Sequence, residues 1–442
     1  MNQRPTQKDR ACALYRYIVQ VIDFYSLPSQ LHVYENLLEE SRTLRRHHCV
    51  YRALKPMKLG HFALALYGFR TAGQYNVFAR ERGDLVAFSA EYSQQRNIEY
   101  VCALSGGVMK PRHILHEQNR VARLWYMLRL ALDICGPANG RALRKALRLI
   151  RHIDRKYSWV QAINAASFLF NAFSFRHAFT EENKAAFTAN DFSPVPLAFK
   201  YASYARGLKQ MLVMHGQLPV KTSETVMPRL DYDLSFLYGE TALDTYRVKG
   251  EPLGRILFTG FPGESRAIRK APEEIGSVGI CLSNFYDEDT HKAIIKIGKL
   301  YAHAAVIIRC HPRMTRRPDF SGFGNISFST FKAMSDFLQG CDFVIAGNTG
   351  AQVDMLKLGC PVAHFSKLDK FGDDDMGMVA DRTVMGFDET RALTGKDIDQ
   401  FFNDGWVKRF RRYDALYMAT AEETRTVRED VARAYRELLE GR

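Results

Sequence analysis

From residue 255 to residue 365, short apolar runs alternate with segments long enough to be helices, and this alternation constrains the fold more than any other feature of the sequence. The runs are continuously apolar instead of alternating with polar residues, which is typical of strands buried on both faces of a sheet. Strands separated by helices indicate a parallel sheet covered by helices on both sides. The runs are RILFTG (255–260), VGICLS (278–283), AVIIRC (305–310), FVIA (343–346) and PVAHF (361–365).

The same alternation of apolar runs and helical segments occurs earlier in the chain, where the runs are KAAFTA (184–189), MLVM (211–214) and LSFLY (234–238). A chain of 442 residues exceeds the size at which one hydrophobic core usually stops growing. Because Pro252 and Gly254 punctuate the chain before RILFTG, we place a domain boundary near residue 252. We therefore predict an α/β fold with two Rossmann-like domains facing a central cleft: residues 1–252, residues 253–405, and C-terminal helices at 406–442 that pack back on the first domain.

The first domain carries additional elements before its regular alternation begins. Residues 8–26 have helical spacing, and HFALALYG (61–68), DLVAFS (84–89) and IEYVCALSGG (98–107) indicate strands. A helical tract follows from about residue 115 to residue 175, broken at Cys135-Gly136-Pro137 and again near Lys156. We expect these helices to be an insertion in the first domain.

Net charge and cysteine content indicate the kind of binding partner and the cellular compartment of the protein. The 62 Lys and Arg residues against 48 Asp and Glu residues leave a net charge of +14, which favours an anionic partner. The eight cysteines form no CxxC pair, as expected for reduced thiols in the cytoplasm. The N-terminus has no apolar segment behind it, and no uncharged apolar run approaches the length of a membrane span. We predict a protein that is neither secreted nor membrane-spanning.

One polar motif stands directly after the strand AVIIRC. His311 follows that strand, Pro312 fixes the turn, and Arg313 adds a positive charge. Ligands of doubly wound sheets bind beyond the carboxyl ends of the strands, where an imidazole and a guanidinium can hold phosphate. The alternative is that His311 is a satisfied histidine at a strand end.

A second motif follows the strand FVIA. Gly347, Asn348, Thr349 and Gly350 form a turn whose glycines let the backbone approach a ligand, and the next helix offers free N–H groups to a phosphate. Asp354 lies on that helix, where its carboxylate can reach ribose hydroxyls. The alternatives are a purely structural turn and a solvated helix charge.

At these residues the sequence resembles glycosyltransferases of the GT-B fold, and within them the bacterial surface-polysaccharide branch that uses CMP- or CDP-activated donors. That branch includes sialyltransferases, Kdo transferases and glycerophosphotransferases. Its His-Pro motif corresponds to His311-Pro312, its Ser/Thr turn to Asn348-Thr349, and the acidic ribose position of the wider fold to Asp354. Gly260-Phe261-Pro262 resembles a Gly-x-Pro found in several of these families. The double serine of the family is Asn-Thr here.

Glycosyl transfer needs a base or a carboxylate nucleophile, together with cations that stabilise the departing phosphate. Asp191 follows the strand KAAFTA and is our candidate for the carboxylate; alternatively it caps the next helix. His215 precedes Gly216 at the end of MLVM, where the resembling families often have His-Gly, and Glu240 is a weaker third candidate. No metal-binding motif stands in a suitable context, so we expect no metal cofactor.

The segment RALRKALRLIRHIDRK (141–156) predicts an amphipathic helix with a strongly basic face. Such a face suits an anionic membrane surface, at about 1 kcal/mol per basic residue. The alternative is an amphipathic helix that packs on the core. Nucleic acid is disfavoured because no aromatic residues interleave with the basic ones. The predicted membrane-contact residues are Arg141, Arg144, Lys145, Arg148, Arg151 and Arg155.

Together these features predict a cytoplasmic glycosyltransferase on the inner face of the membrane. It would move a sugar of the sialic acid or Kdo class from a CMP-activated donor to a glycan or lipid-linked acceptor of the bacterial surface, in capsule or lipopolysaccharide synthesis. One alternative is a CDP-glycerol-type phosphotransferase or a UDP-sugar enzyme, either a transferase or a 2-epimerase. Another is a non-catalytic nucleotide-binding subunit of a polysaccharide assembly complex.

Overall fold

The computed structural model describes residues 5–25, 42–78, 83–137, 139–190, 193–214, 216, 229–283, 286–311, 314, 318–369, 374–403 and 405–441. Within these ranges the strands are β1 (Leu85–Phe88), β2 (Pro111–Ile114), β3 (Ala185–Thr188), β4 (Lys209–Val213), β5 (Leu234–Leu237), β6 (Arg255–Phe258), β7 (Ser277–Cys281), β8 (Ala305–Arg309), β9 (Ile326–Phe328), β10 (Phe343–Ala346), β11 (Val362–His364) and β12 (Met385–Gly386).

The α-helices in the same ranges are α1 (Gln7–Phe24), α2 (Arg42–Leu54), α3 (Gly60–Ala72), α4 (Tyr92–Leu104), α5 (Arg120–Cys135), α6 (Gly140–Lys156), α7 (Trp159–Phe175), α8 (Pro194–Ala205), α9 (Glu240–Arg247), α10 (Glu288–Leu300), α11 (Met334–Gln339), α12 (Ala351–Lys357), α13 (Gly395–Phe401), α14 (Trp406–Phe410) and α15 (Ala421–Glu440).

The strands form two parallel sheets of six strands each. The first has the order β2-β1-β3-β4-β5-β6, and the second, written from its other edge, has the order β9-β8-β7-β10-β11-β12. The second order is the doubly wound arrangement in which the chain starts in the middle and reverses direction between the first and fourth strands. Its reversal point therefore lies between β7 and β10. The predicted α/β class with two parallel sheets is confirmed.

One strand lies in a different sheet from the one the sequence indicated. RILF, which we took to open the second alternating series, is β6, and it pairs in parallel with β5 at the edge of the first sheet. The preceding Gly254 passes so close to the backbone that a β-carbon there would lie 2.0 Å from the carbonyl oxygen of Tyr232. The Pro252–Gly254 punctuation thus marks a tight connection within one sheet, and the crossing to the second sheet follows β6.

Two apolar runs that indicated strands are helices instead. HFALALYG lies in α3 and IEYVCALSGG begins within α4, whereas DLVAFS contains β1 as predicted. Helix α3 packs so closely on α7 that a β-carbon at Gly68 would lie 2.5 Å from the carbonyl oxygen of Ala166. Helix α3 has little polar face because exposed positions such as Phe62 and Leu66 are also apolar, so its sequence resembles a buried strand.

A layer of helices covers one face of the first sheet. Its centre is α7, which is buried along almost its whole length. The predicted breaks in the helical tract are present, because α5 ends at Cys135 and α6 ends at Lys156. Rings from the sheet and the helices interlock in the core, with the ring centroids of Phe88 and Phe175 5.0 Å apart.

The C-terminal segment joins the two sheets and then returns to the first. Trp406, Phe410, Tyr413 and Tyr417 belong to a buried cluster that also contains residues of both sheets. Helix α15 packs beyond them on the first sheet, where one of its faces joins the core around β1 and β3 and Arg255 of β6 pairs with Glu437. The buried residues of α15 are Val431, Ala432, Ala434, Tyr435 and Leu438.

Candidate functional site

The carboxyl ends of β8, β7 and β10 lie side by side at the reversal point of the second sheet. Cys281 of β7 is in register with Arg309 of β8 and Ala346 of β10. His311 follows β8, and its carbonyl accepts a hydrogen bond of 2.9 Å from the backbone of Met314. Gly347 follows β10, two strand spacings away, which is roughly 10 Å. Pro312 and Arg313 lie outside the described residues.

The glycine turn after β10 is held by a buried carboxylate. A β-carbon at Gly347 would lie 2.0 Å from Oδ2 of Asp369, and the backbone N–H of Asn348 donates to the same oxygen. The Asn348 side chain is buried, with Nδ2 3.3 Å from Oδ1 of Asp369. Its Oδ1 accepts from the backbone N–H groups of Asp375 at 2.7 Å and Met376 at 3.4 Å. Asn348 therefore ties the turn to a distant loop, a structural role that the sequence did not indicate.

Thr349 and Gly350 complete the turn at the start of α12. Thr349 is half-buried, and its hydroxyl accepts a hydrogen bond of 3.3 Å from the backbone of Ala351. Gln352 braces the turn, since its Nε2 donates to the carbonyl of Gly347 at 2.7 Å. The turn is thus a firm backbone structure in which Thr349 carries the more accessible side chain.

Asp354, half-buried on α12, stands where the two domains meet. Burial raises the pKa of its carboxyl to about 6, while the positive charges of Arg96 and Lys357 oppose that rise. Its charge also acts on Tyr238, which follows β5 of the first sheet, and on Cys281 at the end of β7. Asp354 is therefore close to strand ends of both sheets.

Helix α4 supplies residues of the site that the sequence analysis missed. Nδ2 of Asn97 donates to the carbonyl of Met214 at 2.8 Å and to the hydroxyl of Tyr238 at 2.7 Å. The hydroxyl of Tyr100 donates to the carbonyl of Thr259 at 2.8 Å. Helix α4 thus crosses the carboxyl ends of β4, β5 and β6, with the exposed Arg96 within electrostatic range of Asp354. A helical interpretation of residues 92–104 would have placed Arg96, Asn97 and Tyr100 together.

Gly260 comes after β6 of the first sheet, so it is not among the residues at the strand ends of the second sheet. Its φ is +66°, and a β-carbon there would lie 2.6 Å from Oδ1 of Asp414. The same oxygen accepts from the backbone N–H of Phe261 at 3.0 Å, and Lys357 Nζ is 2.7 Å from Oδ2 of Asp414. Gly260 therefore allows the connection between the sheets to pass close to the C-terminal segment.

The two predicted catalytic residues, Asp191 and His215, lie outside the described residues. The strands before them, β3 and β4, are neighbours in the first sheet. Beside Asp191, the Asn190 side chain accepts a hydrogen bond of 3.1 Å from the backbone of Ser193, where α8 begins. Glu240 is exposed at the start of α9, 3.6 Å from Arg412.

Helix α6 has the two faces that its sequence predicts. Ile150 and Ile153 are buried, and the exposed face is basic. Arg151 differs from the other basic residues because it is half-buried. The exposed basic residues predicted to contact a membrane are Arg141, Arg144, Lys145, Arg148 and Arg155.

Two features are absent from the part of the chain that the structure describes. None of its groups of three or more His, Cys, Asp or Glu side chains could hold a metal ion. Among the same residues, no helix combines the length and apolar character that crossing a bilayer requires.

No family model matches the chain, and no curated protein sequence matches it. Several solved structures are similar to it. UDP-GlcNAc 2-epimerase from Neisseria meningitidis, bound to UDP-GlcNAc, is 11% identical over 80% of this chain and 99% of that chain, with a TM-score of 0.45. The calicheamicin glycosyltransferase CalG4 is 10% identical over 82% of this chain and 98% of that chain, with a TM-score of 0.42.

The wall teichoic acid polymerase TagF is 11% identical over 90% of this chain and 98% of that chain, with a TM-score of 0.39. At such low identity and with TM-scores under 0.5, these likenesses assign neither a donor nor an acceptor. The description of this chain as a molecule of two parallel α/β sheets rests on its own strand order.

Proposed function

We propose that the chain is a metal-independent glycosyltransferase of the GT-B type, which transfers a sugar of the sialic acid or Kdo class from a CMP-activated donor to a bacterial surface glycan or a lipid-linked acceptor. The observation that carries the proposal is the convergence at the reversal point of the second sheet. His311 and the turn Gly347–Gly350 follow strands on either side of β7, and Asp354 lies between them and the first domain. Nucleotides bind at such reversal points in doubly wound sheets.

Each group in this cluster has a proposed task in binding the donor. His311, Thr349 and Arg313 hold phosphate, and Asp354 accepts hydrogen bonds from ribose hydroxyls. Because the pKa of Asp354 is about 6, its carboxyl is mostly ionised at neutral pH and able to accept them. Asn348 acts indirectly, by holding the turn against Asp369 and the loop at Asp375.

The transfer step takes place across the cleft. The acceptor hydroxyl oxygen attacks the anomeric carbon, the bond from that carbon to the phosphate oxygen breaks, and the hydroxyl proton passes to Asp191. His215 orients the acceptor. The departing nucleotide phosphate carries the negative charge, which His311, Arg313 and Arg96 stabilise. Asp191 acting as nucleophile in a two-step route is the alternative for this residue.

Thermal-shift measurements with CMP, CDP, UDP and GDP test the nucleotide site, because a bound ligand stabilises the folded chain. We expect CMP and CDP to raise the melting temperature of the natural protein and His311→Ala to abolish the rise. The matched control is His303→Ala, an exposed histidine before β8, at the opposite edge of the same sheet. An unchanged nucleotide shift in His311→Ala would contradict the proposed site.

The same four nucleotides, together with turnover of the corresponding donors, distinguish the alternative functions. Stabilisation by UDP alone indicates a UDP-sugar enzyme, and turnover of CDP-glycerol indicates a phosphotransferase. Nucleotide binding without turnover of any donor indicates a non-catalytic subunit. For the natural activity, Asp191→Asn is expected to abolish sugar transfer while leaving the nucleotide shift intact.

We also propose that the exposed basic face of α6 attaches the enzyme to the inner surface of the cytoplasmic membrane. The support is its five exposed cationic residues on one helix face. The triple change Arg144→Glu, Lys145→Glu and Arg148→Glu is expected to weaken binding to anionic vesicles at low salt. The control reverses three exposed lysines that lie outside α6, Lys270, Lys396 and Lys408. Equal losses in both triple variants would contradict a specific role for α6.

A further inference from the structure

Helix α5 exposes an apolar face that the function proposed above does not use. Its exposed apolar residues recur every three or four positions, so they share one side of the helix. The opposite side is packed, with Leu130 and Ile134 buried. The exposed fractions are 75% for Val121, 64% for Leu124, 49% for Trp125, 59% for Leu128 and 69% for Leu132.

The apolar surface continues onto the neighbouring helices. Phe62 and Leu66 of α3 are 47% and 56% exposed, and Val50 of α2 is 45% exposed. A groove of about 950 Å³ runs between α2, α3 and α5, with Leu66, Leu124 and Leu128 among its lining residues. Single exposed apolar residues are ordinary, but exposed leucines from α3 and α5 that line one groove mark an interaction surface.

Basic side chains border this surface. Arg70, Arg120 and Arg123 line the groove, and none of the described residues lining it is acidic. The guanidinium of Arg129 lies over the rings of Phe78, at 4.3 Å, and Trp125, at 5.2 Å. Apolar side chains bordered by arginine and an exposed tryptophan match the interface between lipid headgroups and acyl chains.

We infer that this face of α5, together with the exposed residues of α3, inserts into the acyl boundary of an anionic bilayer. The leucines enter the apolar layer, Trp125 sits at its edge, and the arginines meet headgroup phosphates. A second copy of the chain is a poorer occupant, because a two-fold contact pairs the same patch with itself and, among the described residues, no acidic one lines this groove to meet its arginines. The inference rests on the proposed membrane attachment and adds to it an apolar component that salt does not screen.

Vesicles of phosphatidylcholine and phosphatidylglycerol, at low and high salt, distinguish the electrostatic component of membrane binding from the apolar one. We expect Leu124→Ser, Leu128→Ser and Leu132→Ser together to weaken binding at high salt by about tenfold or more, because the removed side chains no longer bury apolar area. The matched control substitutes serine for Val248, Leu253 and Phe331, which are 48%, 62% and 50% exposed elsewhere on the surface. High-salt binding that survives the α5 changes would overturn the inference.

Trp125 reports insertion in the protein with its leucines intact, and the comparison with Trp125→Phe separates its emission from that of Trp159 and Trp406. On adding vesicles we expect a blue shift of its emission and quenching by brominated acyl chains, both absent in Trp125→Phe. Vesicle binding without these changes would overturn the inference, as would a stable dimer that Leu128→Arg dissociates. Failure of the nucleotide assays would refute the proposed donor site and leave these outcomes unaffected.

Discussion

Three influences act together on the carboxyl of Asp354. It is half-buried, it faces the positive charges of Arg96 and Lys357, and the carboxylate of Asp414 is near enough to oppose its ionisation. Desolvation dominates, so the pKa is raised. An arrangement that disfavours the free carboxylate is consistent with a group that gains partners when ligand binds.

The raised pKa of Asp354 predicts a specific dependence of stability on pH. The unfolded carboxyl titrates near 3.8 and the folded one near about 6, so between these values the folded state holds a proton that the unfolded state has lost. Stability therefore falls as pH rises through this window. Asp354→Asn is expected to flatten that slope and to raise the free energy of unfolding at neutral pH by on the order of 2 kcal/mol, measured by urea denaturation.

Asp397 is the matched control because its pKa is shifted the other way. Hydrogen bonds from Arg391 and Thr394 lower it to about 2. Asp397→Asn should therefore destabilise the protein at neutral pH, with the difference disappearing as pH falls through the range between 3.8 and about 2. A lower free energy of unfolding for Asp354→Asn at neutral pH would contradict the raised pKa of Asp354.

Asn348 and Thr349 are adjacent, yet we expect their substitutions to act differently. Asn348→Ala removes buried hydrogen bonds to Asp369, Asp375 and Met376 and should lower the free energy of unfolding by about 1–3 kcal/mol. Thr349→Ala should leave stability nearly unchanged and weaken nucleotide binding several-fold, measured by calorimetric titration. Equal stability losses would show that Thr349 is structural as well.

For single residues, the sequence predicted where a side chain lies in the fold better than what that side chain does. The place of His311 and Gly347 beyond strand ends follows from local apolar runs, which are visible in a single sequence. The partners of Asn348 lie more than twenty residues away, at Asp369 and Asp375, so no local pattern indicates its task. Arg96 was missed because its helix was interpreted as a strand.

At the scale of elements, the strand predictions are confirmed for apolar runs that lie inside a sheet covered on both faces. Strands such as β7 and β10, short and continuously apolar, are buried on both faces. The failures, α3 and α4, contain apolar runs as short as those of strands, although α3 exposes Phe62 and Leu66 and α4 exposes Arg96 and Glu99. The assignment of β6 failed for another reason, since the sheet in which a strand pairs depends on partners that are distant in sequence.

The turn that ends α12 gives a prediction at this scale. Gly359 has a φ of +80°, and a β-carbon there would lie 2.4 Å from the carbonyl oxygen of Ala267. Gly359→Ala should therefore lower the free energy of unfolding by about 1–3 kcal/mol, measured by urea denaturation. Gly322 is the control, since nothing lies within 4 Å of its added β-carbon. A neutral Gly359→Ala would contradict the close approach.

At the scale of the whole molecule, the two sheets are joined by polar as well as apolar contacts. Lys357 of α12 pairs with Asp414 at 2.7 Å, and the two side chains are 4% and 0% exposed. Lys357 also donates to the carbonyl of Phe261, in the connection between the sheets. Arg412 adds a surface link, lying 3.1 Å from Asp244 of α9 and 3.8 Å from Asp381 of the second domain.

Removing one partner of the buried pair should weaken the whole molecule. Lys357→Met leaves the Asp414 carboxylate without its cation and is expected to cost about 3–5 kcal/mol of unfolding free energy. The double variant with Asp414→Leu should recover much of that loss, because no buried charge is left over. Urea unfolding followed by far-ultraviolet circular dichroism and tryptophan fluorescence measures both free energies of unfolding. Equal stability of the single and double variants would contradict this account.

The position of α15 has a consequence for synthesis on the ribosome. Its residues Val431, Ala434, Tyr435 and Leu438 complete the core around β1 and β3, although more than two hundred residues separate them from those strands. While the second domain is still being translated, the nascent first domain lacks this cover and exposes apolar surface that chaperones bind. We therefore expect the domain made first to finish folding last.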